Sequence, residues 1–309
     1  MPAVSVIIPT FNRADLLPKA VGSVLSQTFQ DLEIVVVDDA SGDCTPAVVH
    51  GLGDRRIRYV RHPANRGIAA ARNTGVAHAS GRYLAFLDDD DEWLPRKLEL
   101  QVGILTDSPR SVGAVYSAFE QIDMTTGNRV AVVRPGKSGH ILNELCMKNW
   151  IGTASTVCLK RECLEEAGPF DERVTFGEEY DMWIRVAHRY DFKYIDEILV
   201  RYGVHPVQLS TNYQAIIGGL REQLHKHRDF FALDPGNYSR RFANLGVLYC
   251  YVGETARGRQ AFYSGIRVTP FAGKLYAYLA LSLLGTRVFR SLQGPRGKPV
   301  ATRLAAATR

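Results

Sequence analysis

No apolar run in this 309-residue sequence is long enough to cross a bilayer. The longest near its end, Leu275 to Leu284, stops well short of the about 20 residues that a span requires. The first residues lack a basic head and a small-residue cleavage site, so no secretory leader is expected. Cysteine is sparse. Cys44, Cys146, Cys158, Cys163 and Cys250 are odd in number and irregular in spacing, which argues against a disulfide framework. They read as free thiols in a reducing compartment, and the chain as cytoplasmic, peripheral at the inner face of a membrane. Among the histidines only His225 and His227 lie close together, and these read as solvated helix surface. Acid is missing altogether from residues 255–309, which hold ten Lys and Arg. The net charge of +6 is therefore uneven, since the rest of the chain sets 28 basic against 32 acidic side chains, a net of −4. A basic end calls for an anionic partner. No nucleic-acid recognition module accompanies it and its aromatics fall at helical spacing, so an anionic membrane surface is expected there and nucleic acid is not.

What the sequence does have is 46% hydrophobic residues, ample for a core, and one organising stretch. Tyr83-Leu84-Ala85-Phe86-Leu87 is an apolar run of the length of a strand buried on both faces. It ends in Asp88-Asp89-Asp90-Asp91. Four adjacent carboxylates at a buried strand end repel one another unless a cation shares the site, and oxygen donors suit a hard divalent ion. A solvated acidic turn is the alternative. Pro95 then opens an expected helix to Leu105. Before this stretch, Ser5 to Pro9, Glu33 to Val37 and Arg56 to Val60 read as strands. They alternate with helical patterns over Leu16 to Leu25, Thr45 to Leu52 and Gly67 to Ala79. The order β-α-β-α-β-α-β predicts a mostly parallel sheet flanked by helices, an α/β fold whose ligands bind outside the carboxyl ends of the strands. Thr10, Asp39 and Asp88 to Asp91 all fall at such ends.

These segments resemble a family. Ser5-Val6-Ile7-Ile8-Pro9-Thr10-Phe11-Asn12-Arg13, Ser26-Gln27-Thr28-Phe29, Val37-Asp38-Asp39-Ala40-Ser41, Asn65-Arg66-Gly67 with Ala71-Arg72-Asn73, and Phe86-Leu87-Asp88-Asp89-Asp90-Asp91 are similar, in that order, to the family 2 glycosyltransferases. The resemblance covers residues 3 to 210 and implies a GT-A fold, Rossmann-like, and an inverting transfer from a nucleoside-diphosphate sugar to a glycan or lipid-linked acceptor. It implies a divalent metal, Mn2+ or Mg2+, on Asp90 with Asp88. Asp39 is expected to accept a hydrogen bond from the nucleobase, and Asp89 stands where some relatives bind ribose; four consecutive acids leave the register open by one position. Pro9, Thr10, Phe11, Asn12 and Arg13 are expected to line the nucleotide, with Arg66 and Arg72 near the pyrophosphate, where a guanidinium suits paired oxygens. Glu179, in the pair Glu178-Glu179, corresponds to the general base, where relatives commonly carry aspartate. His205, in Arg201-Tyr202-Gly203-Val204-His205-Pro206, is expected near the metal or the diphosphate. A sugar-phosphate nucleotidyltransferase would want a glycine-rich basic loop after the first strand, and Pro9 to Arg13 is not one. A catalytically inactive nucleotide-binding scaffold would be expected to have lost the acids.

Further along, Gly113 to Phe119 and Ile151 to Lys160 read as strands, Met124 to Asn128 as a hairpin turn, and Trp183, Ile184, Val186 and Ala187 as the apolar face of a helix. Ile216 to Phe231 reads as one amphipathic helix. Leu245, Gly246, Tyr249, Phe262 and Pro270 follow the register of a single tetratricopeptide-type hairpin, with Gly258 and Gly265 at its small positions. Such a unit cannot bury its apolar face alone. Lys274 to Leu292 forms a second amphipathic run. The expected division is a catalytic domain over 1–212 (nucleotide-sugar half 1–105, acceptor half 106–212), a C-terminal α-helical extension over 213–293, and a basic, disordered tail over 294–309.

Overall fold

The computed structural model describes residues 1–205 and 212–293. The chain divides into two compact units. The first holds Met1–Leu142, Trp150–Glu172 and Glu179–His205; the second holds Asn143–Asn149, Arg173–Glu178 and Pro206–Arg309. Two short internal segments thus group with the C-terminal helices, an exchange that a single boundary near residue 212 did not anticipate.

In the first unit the order is β1 Val4–Thr10, α1 Leu17–Leu25, β2 Leu32–Asp38, α2 Thr45–Gly51, β3 Ile57–Arg61, α3 Ile68–His78, β4 Tyr83–Phe86, β5 Glu92–Trp93, α4 Lys97–Asp107, β6 Val112–Asp123 and β7 Arg129–Val133. Helix α5, Leu142–Met147, lies mostly in the second unit, and β8 Cys158–Lys160, α6 Arg161–Ala167, α7 Glu178–Ala187 and β9 Asp191–Val204 follow. One sheet runs β3-β2-β1-β4-β8-β6-β9-β5, with β7 paired to β6. Strands β3, β2, β1 and β4 are mutually parallel, and β8 turns the sheet antiparallel. The first strand has β2 on one side and β4 on the other, so the order reverses there, and in such sheets ligands bind at the carboxyl ends of the strands flanking the reversal.

The sequence explains this packing locally. All seven residues of β1 are buried, as a strand covered on both faces requires. Leu17, Ala20, Val21 and Val24 of α1 join Val4, Val6 and Ile8 in the main core. Helix α3 is built of alanine because it lies close: a Cβ on Gly75 would collide with the Ile7 side chain. The chain reaches β4 through Gly81, where a Cβ would stand 2.6 Å from the Ser5 nitrogen.

Three expectations are corrected. The helix after the acids starts at Lys97, not Pro95, because Glu92–Trp93 pairs with Arg201 and Val200 and Leu94 donates to Leu199 O, extending that segment. Of Ile151 to Lys160 only Cys158–Lys160 is strand. Gly152 is left-handed at φ 93°, and Ala154–Thr156 coil into a 3-10 turn capped by Thr153, so hydroxyl side chains here serve turns and not a ladder. The helix over Ile216 to Phe231 is two: α8 Tyr213–Lys226 and α9 Arg228–Phe231, divided at His227, whose ψ of 27° ends the first.

The second unit continues with α10 Pro235–Val252, α11 Thr255–Val268, α12 Gly273–Leu283 and α13 Thr286–Gln293. Helices α10 and α11 are joined through Gly253 in the left-handed conformation. They approach closely at glycines. A Cβ on Gly246 would strike the Phe262 ring, and one on Gly258 would lie 2.9 Å from Gly246 O. The run from Lys274 to Leu292 is broken at Gly285, φ 85°. Pro206 and the tail 294–309 lie outside the described residues.

Candidate active site

Three loops at the carboxyl ends of β1, β2 and β4 build the site. After β1, Thr10 is buried and Phe11 exposed. Asn12 is left-handed at φ 53°, a conformation that asparagine tolerates. Its Oδ1 accepts from Gly42 N at 2.7 Å, and its own N–H donates to Ser41 Oγ at 2.8 Å. The loop after β1 is thereby tied to the loop after β2.

Asp38 and Asp39 close β2. Buried Asp38 accepts from Ser41 N and from the Tyr59 hydroxyl, at 2.7 and 2.5 Å. Asp39 is also buried and heavily used. Its Oδ1 accepts from Arg66 N at 2.8 Å and meets His62 Nδ1 at 2.7 Å, while Oδ2 accepts from Gly67 N at 2.7 Å. The carboxylate thus holds the entry to α3. A carboxylate has about four lone-pair positions, so these three bonds leave room for one more donor. His62 was not legible as a site residue, although a polar ring at the carboxyl end of β3, on the same rim, was the available signal.

The four acids after β4 divide their roles. Asp88 accepts from Arg72 Nη2 at 2.7 Å. Arg72 is itself buried, with its guanidinium 5.7 Å above the Phe170 ring. Arg13 Nη1 reaches both Asp89 Oδ1 at 2.7 Å and Asp90 Oδ2 at 2.6 Å. His205 Nε2 lies 3.0 Å from that same Asp90 oxygen. Asp91 is buried, with Oδ1 accepting from Gly203 N at 3.0 Å and Oδ2 lacking a hydrogen-bond partner. Burial pushes the Asp89 carboxyl up to about 7, against the pull of Arg13. For Asp90 burial also acts upward, but the His205 hydrogen bond and Arg13 outweigh it and hold the carboxyl below its ordinary value. Asp91 is driven well above the carboxylate range by burial and by its neighbours Asp90 and Asp88. Of the two arginines expected near a pyrophosphate, Arg72 joins the acid cluster, whereas Arg66 is half-exposed and pairs with Glu172 at 3.2 Å. Ser155, unmarked by the sequence, accepts from Asp88 N at 3.0 Å.

Of the trio expected to hold a metal, Asp90 and His205 come together, while Asp88 turns to Arg72. Among the described residues no group of three potential ligands stands close enough to enclose an ion. The chemistry nevertheless fits a hard cation. The donors are carboxylate oxygens with one imidazole, a buried Asp91 oxygen is unsatisfied, and a cation, here Arg13, already bridges Asp89 and Asp90.

Glu178 and Glu179 open α7, the first buried and the second half-buried. Asp181 in the next turn is fully buried and paired to Arg185 Nη2 at 2.9 Å. Arg185 in turn donates to the carbonyls of Ala167, Gly168 and Pro169. Asp181 is thus committed to structure.

Compared with known proteins, residues 5–167 match the pattern of glycosyl transferase family 2. The chain belongs to that family. As a family 2 glycosyltransferase it has the GT-A fold, its curled sheet flanked by helices, with further helices at the C-terminal end. An uncharacterized glycosyltransferase of Rickettsia felis is 31% identical over 68% of this chain, and the match spans 35% of that protein's length. The UDP-Glc:alpha-D-GlcNAc-diphosphoundecaprenol beta-1,3-glucosyltransferase WfgD of Escherichia coli is 35% identical over 59% of this chain and 69% of its own. Among solved structures, a mannosyltransferase of Pyrobaculum calidifontis in complex with GDP-Man and Mn2+ superposes over 99% of this chain and 86% of its own. Its TM-score is 0.59 at 22% identity.

Proposed function

We propose that this glycosyltransferase inverts configuration while moving a sugar from a nucleoside diphosphate to an acceptor hydroxyl. The acceptor would belong to cell-surface polysaccharide, lipid-linked glycan or glycolipid synthesis and be met at an anionic membrane surface. The observation that carries the reading is the convergence of Thr10, Arg13, Asp39, Asp88 to Asp91 and His205 on one rim of the sheet. Asp39 keeps one acceptor position for a nucleobase N–H. Pro9 to Arg13 line the nucleotide between the first two loops, and Asp89 would meet the ribose. Asp90, supported by Asp88 and His205, would hold a divalent metal, which when bound neutralises a departing diphosphate. Arg13, already between two carboxylates, has the reach to meet diphosphate oxygens when those acids acquire another cation. Arg66 is accessible to the same charge.

Glu179 is the proposed base. It is the more accessible of the two glutamates, and the α7 N-terminus favours its ionised form, ready to take the acceptor proton. Buried Glu178 suits a supporting role. Support for the acceptor class comes from likeness to WfgD, a glucosyltransferase acting on a diphosphoundecaprenol-linked sugar, and from the excess of cations in residues 255–309.

A thermal-shift panel of nucleoside diphosphates with and without manganese tests the donor reading, because ligands that bind only the folded state raise its stability by mass action. At least one diphosphate should raise the melting temperature, and more so with manganese. Indifference to every diphosphate under both conditions would overturn it.

A further inference from the structure

Helix α12 is apolar on two sides, and one of these is packed. Leu275 fills the space at Gly265, where a Cβ would lie 3.0 Å from its Cδ1. Tyr278 lies against Phe262 with ring centroids 5.6 Å apart, and Phe289 of α13 stacks on the same ring at 6.4 Å. On the opposite side Tyr276, Ala277, Ala280, Leu283 and Leu284 follow one another at helical spacing and form a single stripe. All five are exposed. Leu283 is 69% and Leu284 62% exposed, and Phe271, in the turn that leads into α12, is exposed completely. No charged residue interrupts the stripe, where a water-facing helix normally carries several.

The charges that border it have one sign. Lys274 and Arg287 flank the stripe and are exposed, and from residue 255 onward the chain has no acid. A protein partner would have to supply all the opposing charge, whereas an anionic bilayer offers it everywhere, together with an acyl boundary for leucine and phenylalanine. At 11 residues α12 is about 16 Å long, too short to span. Among the described residues no helix is long and apolar enough to cross a membrane. An interfacial position remains.

We infer that the exposed face of α12, with Phe271, is a docking surface that lies in the plane of an anionic lipid membrane. The inference deepens the reading of a membrane-held acceptor by naming the residues that make the contact. The cations of residues 294–309 add long-range attraction, and the apolar stripe supplies the insertion.

The test is flotation of the full-length protein with vesicles of equal parts phosphatidylglycerol and phosphatidylcholine, and with phosphatidylcholine alone. The native chain should float with the anionic vesicles only. Changing Leu283→Glu and Leu284→Glu together should lower the bound fraction about tenfold with the melting temperature unchanged, because both side chains are exposed. Changing Arg296, Lys298, Arg303 and Arg309 to Gln should weaken binding and flatten its fall with salt without abolishing it. Undiminished binding of the double glutamate variant would overturn the inference, and so would binding that disappears entirely with the tail cations. So would a native chain that ignores vesicles and self-associates through this face, shown by dimers that the double glutamate variant dissolves. Nucleotide binding measured on the same samples separates the outcomes, since a failed donor reading would remove that signal whatever the vesicles show.

Discussion

Asp90 is where two side chains contend for one oxygen, with Arg13 at 2.6 Å and His205 at 3.0 Å from Oδ2. Asp90→Asn keeps the shape of the side chain and removes its charge. We expect it to abolish transfer and the metal-dependent part of nucleotide affinity while the protein stays folded. Transfer at the native rate, or equal rates in chelator, would sink the metal-dependent mechanism. The Arg13 contact carries a second consequence, since a guanidinium and a divalent ion cannot both sit against the same oxygen. Arg13→Gln frees that oxygen, so manganese should bind the nucleotide-free protein about ten- to a hundredfold more tightly, the worth of a hydrogen bond between charged groups. Electron paramagnetic resonance of free manganese reads this without any turnover. Equal or weaker binding would show that Arg13 stabilises the ion-binding geometry instead of competing for it. Asp39 makes a contrasting case: its three bonds to His62, Arg66 and Gly67 mean that its replacement loosens the start of α3 as well as removing the proposed nucleobase contact.

At the level of elements, α7 presents the proposed base. Its first turn carries Glu178 and Glu179, and Asp181 is held out of competition by Arg185. Glu179→Gln should cut turnover by about 10²- to 10⁴-fold, the range of positioned proton transfer, with donor affinity little changed. If Glu179→Gln remains active and Glu178→Gln is dead, the base is Glu178. In the second unit α10 meets α11 through Gly246 against Phe262, so Gly246→Val should cost about 1–3 kcal/mol by overpacking, read as an earlier urea midpoint. Which elements were legible follows from where their stabilisation originates. Strands β1, β2 and β4 and helix α1 each bury a continuous local set of apolar side chains, such as Leu17, Ala20, Val21 and Val24, and periodicity sees these directly. Strand β5 is two residues long and owes its existence to Val200 and Arg201, distant in sequence. The turn over Ala154–Thr156 depends on Thr153 side-chain bonding that a β-like composition conceals. In the site, the acids were legible because four in a row follow a buried apolar run at the same rim as Thr10 and Asp39, which a solvated acidic turn would not require. His62 and Ser155 were not, since each acts through a partner in a loop distant in sequence.

At the scale of the whole molecule, one buried cation ties stability to pH. Lys97 has no exposed surface, yet it begins α4 beneath the acid-bearing rim. Its Nζ lies 3.9 Å from the centre of the Trp93 ring and donates to Gln101 Oε1 at 2.7 Å. Gln101 passes the connection to Thr156 O at 2.7 Å, and Trp93 Nε1 donates to Ser155 O at 2.8 Å. Lys97 is therefore the innermost member of a polar network that braces the turn whose Ser155 hydroxyl holds the Asp88 backbone. Burial pushes its ammonium down to about 7 from an ordinary 10.5, with Cys158 a weaker opposing influence. The unfolded chain keeps the proton up to about pH 10.5 and the folded chain releases it near pH 7, so between these values the unfolded state binds more protons. The contribution of Lys97 is then fully favourable above the ordinary value, declines as pH falls toward 7, and is constant below that. Lys97→Met should remove this slope and, because a buried charge is exchanged for an apolar chain of similar length, leave the protein equally stable or up to about 4 kcal/mol more stable at pH 7. Urea unfolding of the two proteins across that interval measures the difference. A slope that survives in Lys97→Met would assign it to other groups, and marked destabilisation at neutral pH would show that the bonds to Trp93 and Gln101 outweigh the desolvation of the charge.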